Sequence, residues 1–347
     1  MKMESISTST SYDYYNYSDD PYPPISSCGM ENVNYLGAHL SILFYFMFLF
    51  SLFGNGLVLV IIHRFEKLTT VTNILLLNLV VSSMIFMSCL PFLGVYLQLS
   101  YWIFGMVMCK IVGTVYYLGF YSSVLFLTLL TFDRHLTVVY SLGAPRVRSQ
   151  RYAVFSCAVV WLISGLACIR PMILLTTFTY LGKVTYCQEY AGDLPYVDVK
   201  LLRTSGFYLQ LIIFLIFPLA VIIYCYVRIA ITVMSSRIVT KFQTVRLIFF
   251  IVLMFFMCWT PFNIVLLMDN EADTCQEKKK TAYALEITRI LAYIYFCISP
   301  IFYTFVGKKF QNYFRQMLVK RFPGLNPVSV SQQSRTNMST RSSPNEL

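Results

Sequence analysis

Seven long apolar stretches dominate this chain of 347 residues and limit what it can fold into. A helix that crosses a membrane needs about 20 mostly apolar residues. The stretches that meet this requirement lie near residues 37–63, 71–98, 106–138, 149–173, 200–234, 241–268 and 281–305. Helices are the expected spanning form, because lipid cannot satisfy backbone hydrogen bonds and the stretches lack the alternation of a β-barrel. The sequence therefore predicts an all-α membrane protein, a seven-transmembrane helix bundle.

The composition excludes the main soluble classes. Hydrophobic residues make up 57% of the chain and charged residues only 12%, about half the ~25% charge of a typical soluble domain. Soluble enzymes, disordered chains and fibrous repeats are therefore poor interpretations. The net charge of +11 could suggest nucleic acid, but the charges do not gather on one compact basic face. We expect the lipid bilayer as a partner and no nucleic acid.

The distribution of Lys and Arg predicts the orientation of the chain. With the N-terminus outside, 17 of the 27 basic residues fall on the cytoplasmic face, as the positive-inside rule requires. Acidic residues then outnumber basic ones on the outer face, which favours a cationic extracellular ligand. Residues 1–36 are polar and lack the apolar core of a signal peptide, so we expect the first span to direct insertion.

The ten cysteines support the same topology. Six of them lie within predicted spans, where small apolar packing is the ordinary role. Cys28, Cys109, Cys187 and Cys275 all fall on the predicted outer face, where disulfides persist. Four cysteines allow three pairings. From their positions at the starts of spans and in the outer loops, we predict the pairs Cys109–Cys187 and Cys28–Cys275.

Short motifs then follow one another, about one in each span. They are Gly54-Asn55, Leu77-Asn78-Leu79, Leu90-Pro91-Phe92, Trp102-Ile103-Phe104-Gly105 before Cys109, Asp133-Arg134-His135, Trp161, Pro218 with Tyr226, Cys258-Trp259-Thr260-Pro261-Phe262-Asn263 and Ser299-Pro300-Ile301-Phe302-Tyr303. In this order the chain resembles the rhodopsin-like (class A) G-protein-coupled receptors over residues 35–320. The resemblance implies a seven-helix bundle followed by a short amphipathic helix that carries Phe310.

Within that class the chain resembles the chemokine receptors. The Trp-x-Phe-Gly-x-x-x-Cys loop, the Leu-Pro-Phe kink, the second outer cysteine pair and the short third inner loop carry this resemblance. The stretch from Cys275 to Arg289 looks most like the XC-chemokine (lymphotactin) receptor, whereas most CC-type relatives have glutamate at the position of Arg289. The implied protein is a multi-pass plasma membrane receptor for a basic chemokine of the XC or CC class. It would signal through a heterotrimeric G protein of the Gi type to calcium flux and leukocyte chemotaxis, as part of an immune response.

The resemblance divides the chain into four parts. They are an acidic, tyrosine-rich extracellular arm (1–36), the seven-helix domain (37–305), an amphipathic cytoplasmic helix (306–321) and a Ser/Thr-rich cytoplasmic tail (322–347). Phosphorylation would give the tail the dense negative charge that arrestin docking needs. In the arm, Asn16-Tyr17-Ser18 fits the N-x-[ST] glycosylation rule.

The arm and the outer third of the bundle hold the predicted ligand-binding residues. Tyrosines beside aspartates suit sulfation, and the resulting charge would steer a basic ligand; the alternative is a solvated spacer. The arm residues are Tyr12, Asp13, Tyr14, Tyr15, Tyr17, Asp19 and Asp20, and the bundle residues are Tyr96, Trp102, Tyr116, Phe120, Phe262, Asp269, Glu286 and Arg289. For the aromatics the alternative is ordinary helix packing. For Glu286 and Arg289 it is that both side chains extend outward to water.

The inner half of the bundle holds the predicted activation residues. By resemblance, Asp133 restrains Arg134 at rest, and activation turns Arg134 toward the G protein. Pro261 removes a backbone hydrogen bond and kinks span six next to Trp259, unless the kink is passive. The full set is Asp133, Arg134, Tyr226, Trp259, Pro261, Pro300 and Tyr303.

Two departures from the family concern a sodium site. The family usually has aspartate at the position of Ser83, and asparagine or aspartate at that of Ser299. Without a carboxylate the site lacks its main charge, so we predict no metal here and no cofactor elsewhere.

Other functions fit the sequence less well. A scavenging receptor that does not activate G proteins remains the main alternative, against which the intact Asp133-Arg134 pair argues. A transporter would show internal repeats with broken helices, and the sequence has neither. An enzyme would need a catalytic cluster, but the only histidines are His39, His63 and His135, which lie far apart.

Overall fold

The computed structural model of the chain describes residues 34–65, 70–140, 148–180, 184–190, 198–235, 242–271, 274–301 and 308–321. Within these ranges, seven helices are long and apolar enough to cross a membrane. Span one is Asn34–Phe65, span two Val71–Met87 with Leu90–Leu99, span three Gly105–Val139, span four Gln150–Ala167 with Ile169–Leu174, span five Val199–Leu211 through Ser235, span six Phe242–Glu271 and span seven Cys275–Ile301. The predicted seven-helix fold is confirmed, and the span limits agree to within a few residues, except that span seven begins earlier, at Cys275.

Capping side chains mark where several spans begin. Thr70 accepts a hydrogen bond from the backbone N–H of Asn73 at the start of span two. At the start of span seven, the backbone N–H of Glu277 donates to Thr274, and the Glu277 carboxylate accepts from the Thr274 N–H. This reciprocal capping box satisfies two amides that the helix leaves unpaired. The termini of these helices are therefore encoded by local side chains.

Prolines and a wide turn interrupt the regular helices. Span two breaks at Ser88 and Cys89, and Pro91 lies in the first turn of the helix that follows, where its missing N–H costs little. In span five a π-helical turn, Ile212–Ile216, precedes the final helix Phe217–Ser235, which contains Pro218. Such turns arise where a helix holds an extra residue and often occur at functional sites.

Spans two and three pack unusually closely. A Cβ atom at Gly119 would lie 2.6 Å from the Cα of Phe86, so only glycine fits at this crossing. The Ser82 hydroxyl donates to the Gly119 carbonyl at 3.2 Å. The same hydroxyl also contacts the hydroxyl of Ser123. The Trp161 indole of span four donates to Asn78 of span two at 2.9 Å. Polar side chains on small-residue surfaces thus join spans two, three and four.

A β-hairpin that the sequence analysis did not predict lies between spans four and five. Strands β1 (Leu175–Tyr180) and β2 (Val184–Glu189) pair antiparallel, with Thr177 opposite Cys187. The hairpin places Cys187 beside span three and brings Glu189 next to the ends of spans four and five. The all-α description therefore holds for the spans but not for this loop.

The last described helix, Lys308–Arg321, is amphipathic. Tyr313, Phe314, Met317 and Leu318 are partly buried on one face, while Gln311, Asn312, Arg315 and Gln316 are exposed. Tyr313 stacks on Phe65 at the end of span one, with ring centroids 5.2 Å apart. The helix is thus attached to the inner end of the bundle by an aromatic contact.

Candidate ligand-binding and transducer-coupling sites

The Trp102–Cys109 segment fixes the outer end of span three. The Trp102 indole N–H donates to the Gly105 carbonyl at 2.8 Å, and Gly105 has a φ of +74°, a conformation that favours glycine. The Trp102 backbone N–H donates to Thr185 of the hairpin at 2.7 Å. Trp102 is 3% exposed and packs edge-to-face on Tyr96, with ring centroids 5.6 Å apart. Trp102 is thus a buried support of the outer mouth, and Tyr96 lies beside it.

The disulfide Cys109–Cys187 is present, with Cα atoms 5.7 Å apart, which confirms one predicted pair. It ties β2 to the start of span three and so holds the hairpin over the outer end of the bundle. The second predicted pair lies outside the described residues, because Cys28 and the side chain of Cys275 are not among them. That pairing stays a prediction.

Lys110 of span three, which was not among the predicted site residues, binds the end of span four. Its ammonium donates to the carbonyl oxygens of Met172 at 2.8 Å and Ile173 at 3.3 Å. The last carbonyls of a helix lack partners within the helix, and a cation there is favourable. Lys110 therefore holds spans three and four together at the outer surface.

A buried group of aromatic rings lies below the outer mouth. We call Phe86, Tyr116, Phe120, Trp259, Tyr293 and Phe296 the aromatic cluster. Tyr116 contacts Phe86 at 5.0 Å between centroids, and Phe86 stacks on Phe296 at 4.0 Å. Phe120 stacks on Trp259 at 4.1 Å. Tyr116 and Phe120 lie one helical turn apart on span three, and both contact this cluster, which contains side chains of spans two, three, six and seven.

The cluster changes the interpretation of two predicted ligand-binding residues. Phe120 is 2% exposed, and Phe262 is 9% exposed and packs on Trp259 at 5.9 Å. Side chains this deeply buried offer little surface to a ligand, and their role in ligand binding stays a prediction. Phe86, Tyr293 and Phe296 were not among the predicted site residues, because an apolar ring in a membrane span carries no sequence signal that separates a site from ordinary packing.

Two charges lie on span seven at the outer end of the bundle. The Arg289 guanidinium donates to the Glu286 carboxylate at 3.0 Å, one helical turn away. The second carboxylate oxygen of Glu286 is buried and has no hydrogen-bond partner within the described part of the chain. Glu286 and Arg289 therefore form an ion pair with each other. One carboxylate oxygen of Glu286 accepts no hydrogen bond from the described residues. Asp269 was predicted to bind the ligand together with these two residues. Its side chain lies outside the described residues.

A second charged group lies between spans four and five and the hairpin. Arg170 donates to Glu189 at 3.2 Å, and Arg203 lies 3.6 Å from the same carboxylate oxygen. Gly206 makes room for Arg170, since a Cβ at that position would lie 2.1 Å from the arginine Cδ. No local sequence pattern marks this group, because its three charges come from separate elements.

The inner end of span three carries Asp133 and Arg134. Their side chains lie 3.9 Å apart, within ion-pair distance but too far for a hydrogen bond. The hydrogen bonds of Asp133 come instead from Arg148, at 2.7 and 3.1 Å, and from Thr72, at 2.8 Å. The predicted restraint of Arg134 by Asp133 is thus present only as a charge contact. Arg148 and Thr72 are site residues that the sequence analysis did not identify.

Spans five and six meet beside Arg134. Tyr226 of span five packs edge-to-face on Phe249 of span six, with centroids 5.1 Å apart. The Nε of Arg134 is buried without a hydrogen-bond partner among the described residues. Pro300 has its side chain outside the described residues, and Tyr303 lies outside them entirely.

Span six continues through Pro261 as a helix. The Asn263 amide donates to the Trp259 carbonyl, one turn earlier in the same helix, at 2.9 Å. The Trp259 indole N–H is buried without a partner among the described residues. Trp259 therefore contacts the aromatic cluster through its ring alone, so hydrogen bonds within the described chain do not fix its orientation.

In the middle of the bundle, Ser83 stands at the position where the family usually has the aspartate of a sodium site. The Ser83 hydroxyl donates to Leu79 of its own helix at 3.0 Å. The described residues contain no group of three or more His, Cys, Asp or Glu side chains that could hold a metal ion. The side chain of Ser299 lies outside them.

The N-terminal arm is also outside the described residues. This concerns the predicted ligand-binding residues Tyr12, Asp13, Tyr14, Tyr15, Tyr17, Asp19 and Asp20, the predicted glycosylation site Asn16, and the predicted arrestin-binding tail 322–347. These remain predictions.

Comparison with known proteins agrees with the seven-helix bundle. The family described as "7 transmembrane receptor (rhodopsin family)" matches residues 54–303. The chain is 35% identical over 298 residues to the C-C chemokine receptor type 3 of Cavia porcellus, covering 84% of this chain and 82% of that one. It is 33% identical over 323 residues to the human C-C chemokine receptor type 8, covering 91% and 88%. It is 32% identical over 353 residues to the human C-C chemokine receptor type 1, covering 97% and 98%.

A family match over most of the chain and relatives this similar over most of their length identify the protein's class. The chain belongs to the rhodopsin family of seven-transmembrane receptors and, within it, to the chemokine receptors. The members of this family are signalling receptors, so the prediction that the chain is not an enzyme is confirmed.

Proposed function

We propose that the chain is a plasma membrane receptor whose N-terminus is extracellular and which binds a basic chemokine of the XC or CC class. It passes binding to a heterotrimeric G protein of the Gi type, with calcium flux and leukocyte chemotaxis as the cellular results. Phosphorylation of the tail then recruits arrestin. The names of the three relatives reported above, each a C-C chemokine receptor, support the ligand class.

The observation that carries the proposal is a path from the outer to the inner end of the bundle, made of aromatic contacts at each end and of span six between them. Tyr116 contacts Phe86, and Phe86 contacts Trp259 with ring centroids 5.9 Å apart. Trp259 belongs to span six, whose inner part carries Phe249 against Tyr226. Tight packing transmits displacement, because packed cores switch between arrangements more readily than they deform. A ligand that moves Tyr116 can therefore bias the position of span six.

The charges at the outer mouth support a ligand with both basic and acidic groups. The unused oxygen of Glu286 can accept a bond from a ligand amine or guanidinium. Arg170 and Arg203 share a single carboxylate, so this group carries a surplus positive charge. The predicted acidic arm would supply the longer-range attraction for a basic protein ligand.

The test is a chemokine panel applied to cells that express the full chain, with binding and calcium flux measured together. The proposal expects at least one basic chemokine to bind and to raise cytoplasmic calcium. The control variant is Arg134→Gln, which should retain binding and lose the calcium response. Binding and uptake without any calcium or exchange response would favour the scavenging receptor. Failure of every chemokine to bind would contradict the proposal.

A further inference from the structure

The carboxylate of Asp133 is held by three groups from three different parts of the chain. Arg148, just before span four, donates through Nε at 2.7 Å to one oxygen and through Nη2 at 3.1 Å to the other. The Thr72 hydroxyl, at the start of span two, donates at 2.8 Å and in turn accepts from Arg148 at 3.3 Å. Arg134, the immediate neighbour of Asp133, contributes only a 3.9 Å contact. We call Asp133, Arg148 and Thr72 the inner clamp.

The geometry ranks the two arginines. A planar guanidinium that meets both oxygens of a carboxylate is the strongest common ion-pair geometry. Asp133 is 4% exposed, so its charge needs such a partner. Arg148 meets this need, while the Nε of Arg134 is buried and has no partner among the described residues. Asp133 therefore holds Arg134 less tightly than it holds Arg148.

We infer that Arg148 is a positioning residue that competes with Arg134 for Asp133 and so keeps Arg134 available to the G protein. This inference rests on the proposed function. The last turn of an incoming helix presents unpaired carbonyl oxygens with partial negative charge. A guanidinium with unused donors binds such oxygens without first breaking strong bonds of its own.

The consequence of losing Arg148 follows from burial. Without it, the carboxylate of Asp133 keeps only the Thr72 hydroxyl and is left as a poorly compensated buried charge. The nearest cation is Arg134, whose side chain has to close a 3.9 Å contact to hydrogen-bond distance. Arg134 must then leave Asp133 before it can contact the G protein. Removal of Arg148 should therefore lower nucleotide exchange.

The experiment measures basal and chemokine-stimulated guanine-nucleotide exchange on Gi in membranes that hold the full-length receptor. Arg148→Gln removes the charge and the fork of donors, and both rates should fall about fivefold, the low end of known couplings between sites. Arg148→Lys keeps the charge without the fork and should restore part of the rate. The matched control is Arg151→Gln, the same change at an exposed arginine on the next turn, which should leave both rates unchanged.

A double-mutant cycle separates competition from a structural role. If Arg148 acts through Asp133, Arg148→Gln should have no further effect in a receptor that already carries Asp133→Asn. Thr72→Val removes the hydroxyl at similar volume and should lower the rates less than Arg148→Gln. Chemokine affinity and surface expression, measured for each variant, should stay close to those of the parent.

Each result bears on the inference. Exchange that rises in Arg148→Gln would mean that Arg148 restrains the resting state, and would overturn it. Unchanged exchange, or an equal fall in the Asp133→Asn background, would also overturn it. A parent receptor that binds chemokine but never stimulates exchange would contradict the proposed function itself, which distinguishes the two failures.

Discussion

Phe120 of span three stacks face to face on Trp259 of span six, with ring centroids 4.1 Å apart and planes inclined by 29°. Both side chains are almost fully buried. Trp259 lies two residues before Pro261, where span six lacks a backbone donor. We therefore expect movement of the outer half of span three to reach span six through this ring contact beside Pro261.

Phe120→Leu should weaken signalling more than it weakens ligand binding. Leucine keeps the site apolar but loses the stack, whereas alanine would leave a cavity that costs about 3–5 kcal/mol of stability. We expect the maximal calcium response to fall about fivefold with chemokine affinity nearly unchanged. Phe46→Leu is the control, because Phe46 lies on the lipid-facing side of span one and is 63% exposed. Equal effects of the two changes would contradict the role of the stack.

Loss of the two predicted disulfides should have unequal effects. Cys109→Ala frees the hairpin that Cys187 holds over the bundle, so surface expression or chemokine binding should be abolished. Cys28→Ala should weaken chemokine binding more mildly, because the predicted Cys28–Cys275 bond joins the arm to the start of span seven. Peptide mapping of the unreduced protein checks the pairing directly. A peptide that links Cys28 to Cys187 would show that the pairing is wrong.

The acidic arm should make ligand association sensitive to salt. Attraction between exposed charges is screened over about 8 Å at physiological ionic strength. Chemokine association should therefore slow as salt rises, and removal of residues 1–20 should flatten that dependence. Stopped-flow or surface measurements of the association rate provide the test. A rate that responds to neither salt nor truncation would refute steering by the arm.

Sodium should hardly change agonist affinity. Ser83 offers a neutral hydroxyl that already donates to Leu79, and a cation held there without a counter-charge would be costly to desolvate. Agonist binding to membranes is compared in sodium and in a bulky organic cation at equal ionic strength. Ser83→Asp combined with Ser299→Asn should introduce a sodium effect. A marked sodium-specific loss of affinity in the unmodified receptor would contradict the prediction.

The fold was largely predictable, because each span is encoded by its own continuous apolar segment. Crossing a membrane also forces helices, so no long-range information was needed to choose the fold class. The hairpin β1–β2 was not predictable in this way. Its register depends on the disulfide between Cys187 and Cys109 and on the Trp102–Thr185 hydrogen bond, which are contacts between distant segments.

Contacts between charged residues can be anticipated from sequence where the two residues are close neighbours on one helix. Asp133 with Arg134 and Glu286 with Arg289 lie on single helices, and both pairs are in contact. Arg148 returns to Asp133 from 15 positions further along the chain, and no local pattern marks it. Arg170, Glu189 and Arg203 likewise meet only because the hairpin folds between two spans. Charge partners that depend on loop geometry are therefore the part that sequence reasoning misses.

The most direct test of the central claim is guanine-nucleotide exchange on purified Gi heterotrimer by the reconstituted full-length receptor, with and without a chemokine that it binds. We predict that the chemokine accelerates exchange and that Arg134→Gln removes the acceleration while chemokine binding persists. Ligand binding at the outer face would then reach the G protein through Arg134 at the inner face. The path from Tyr116 to Tyr226 requires this result. A bound chemokine that leaves exchange unchanged in the parent receptor would contradict the account.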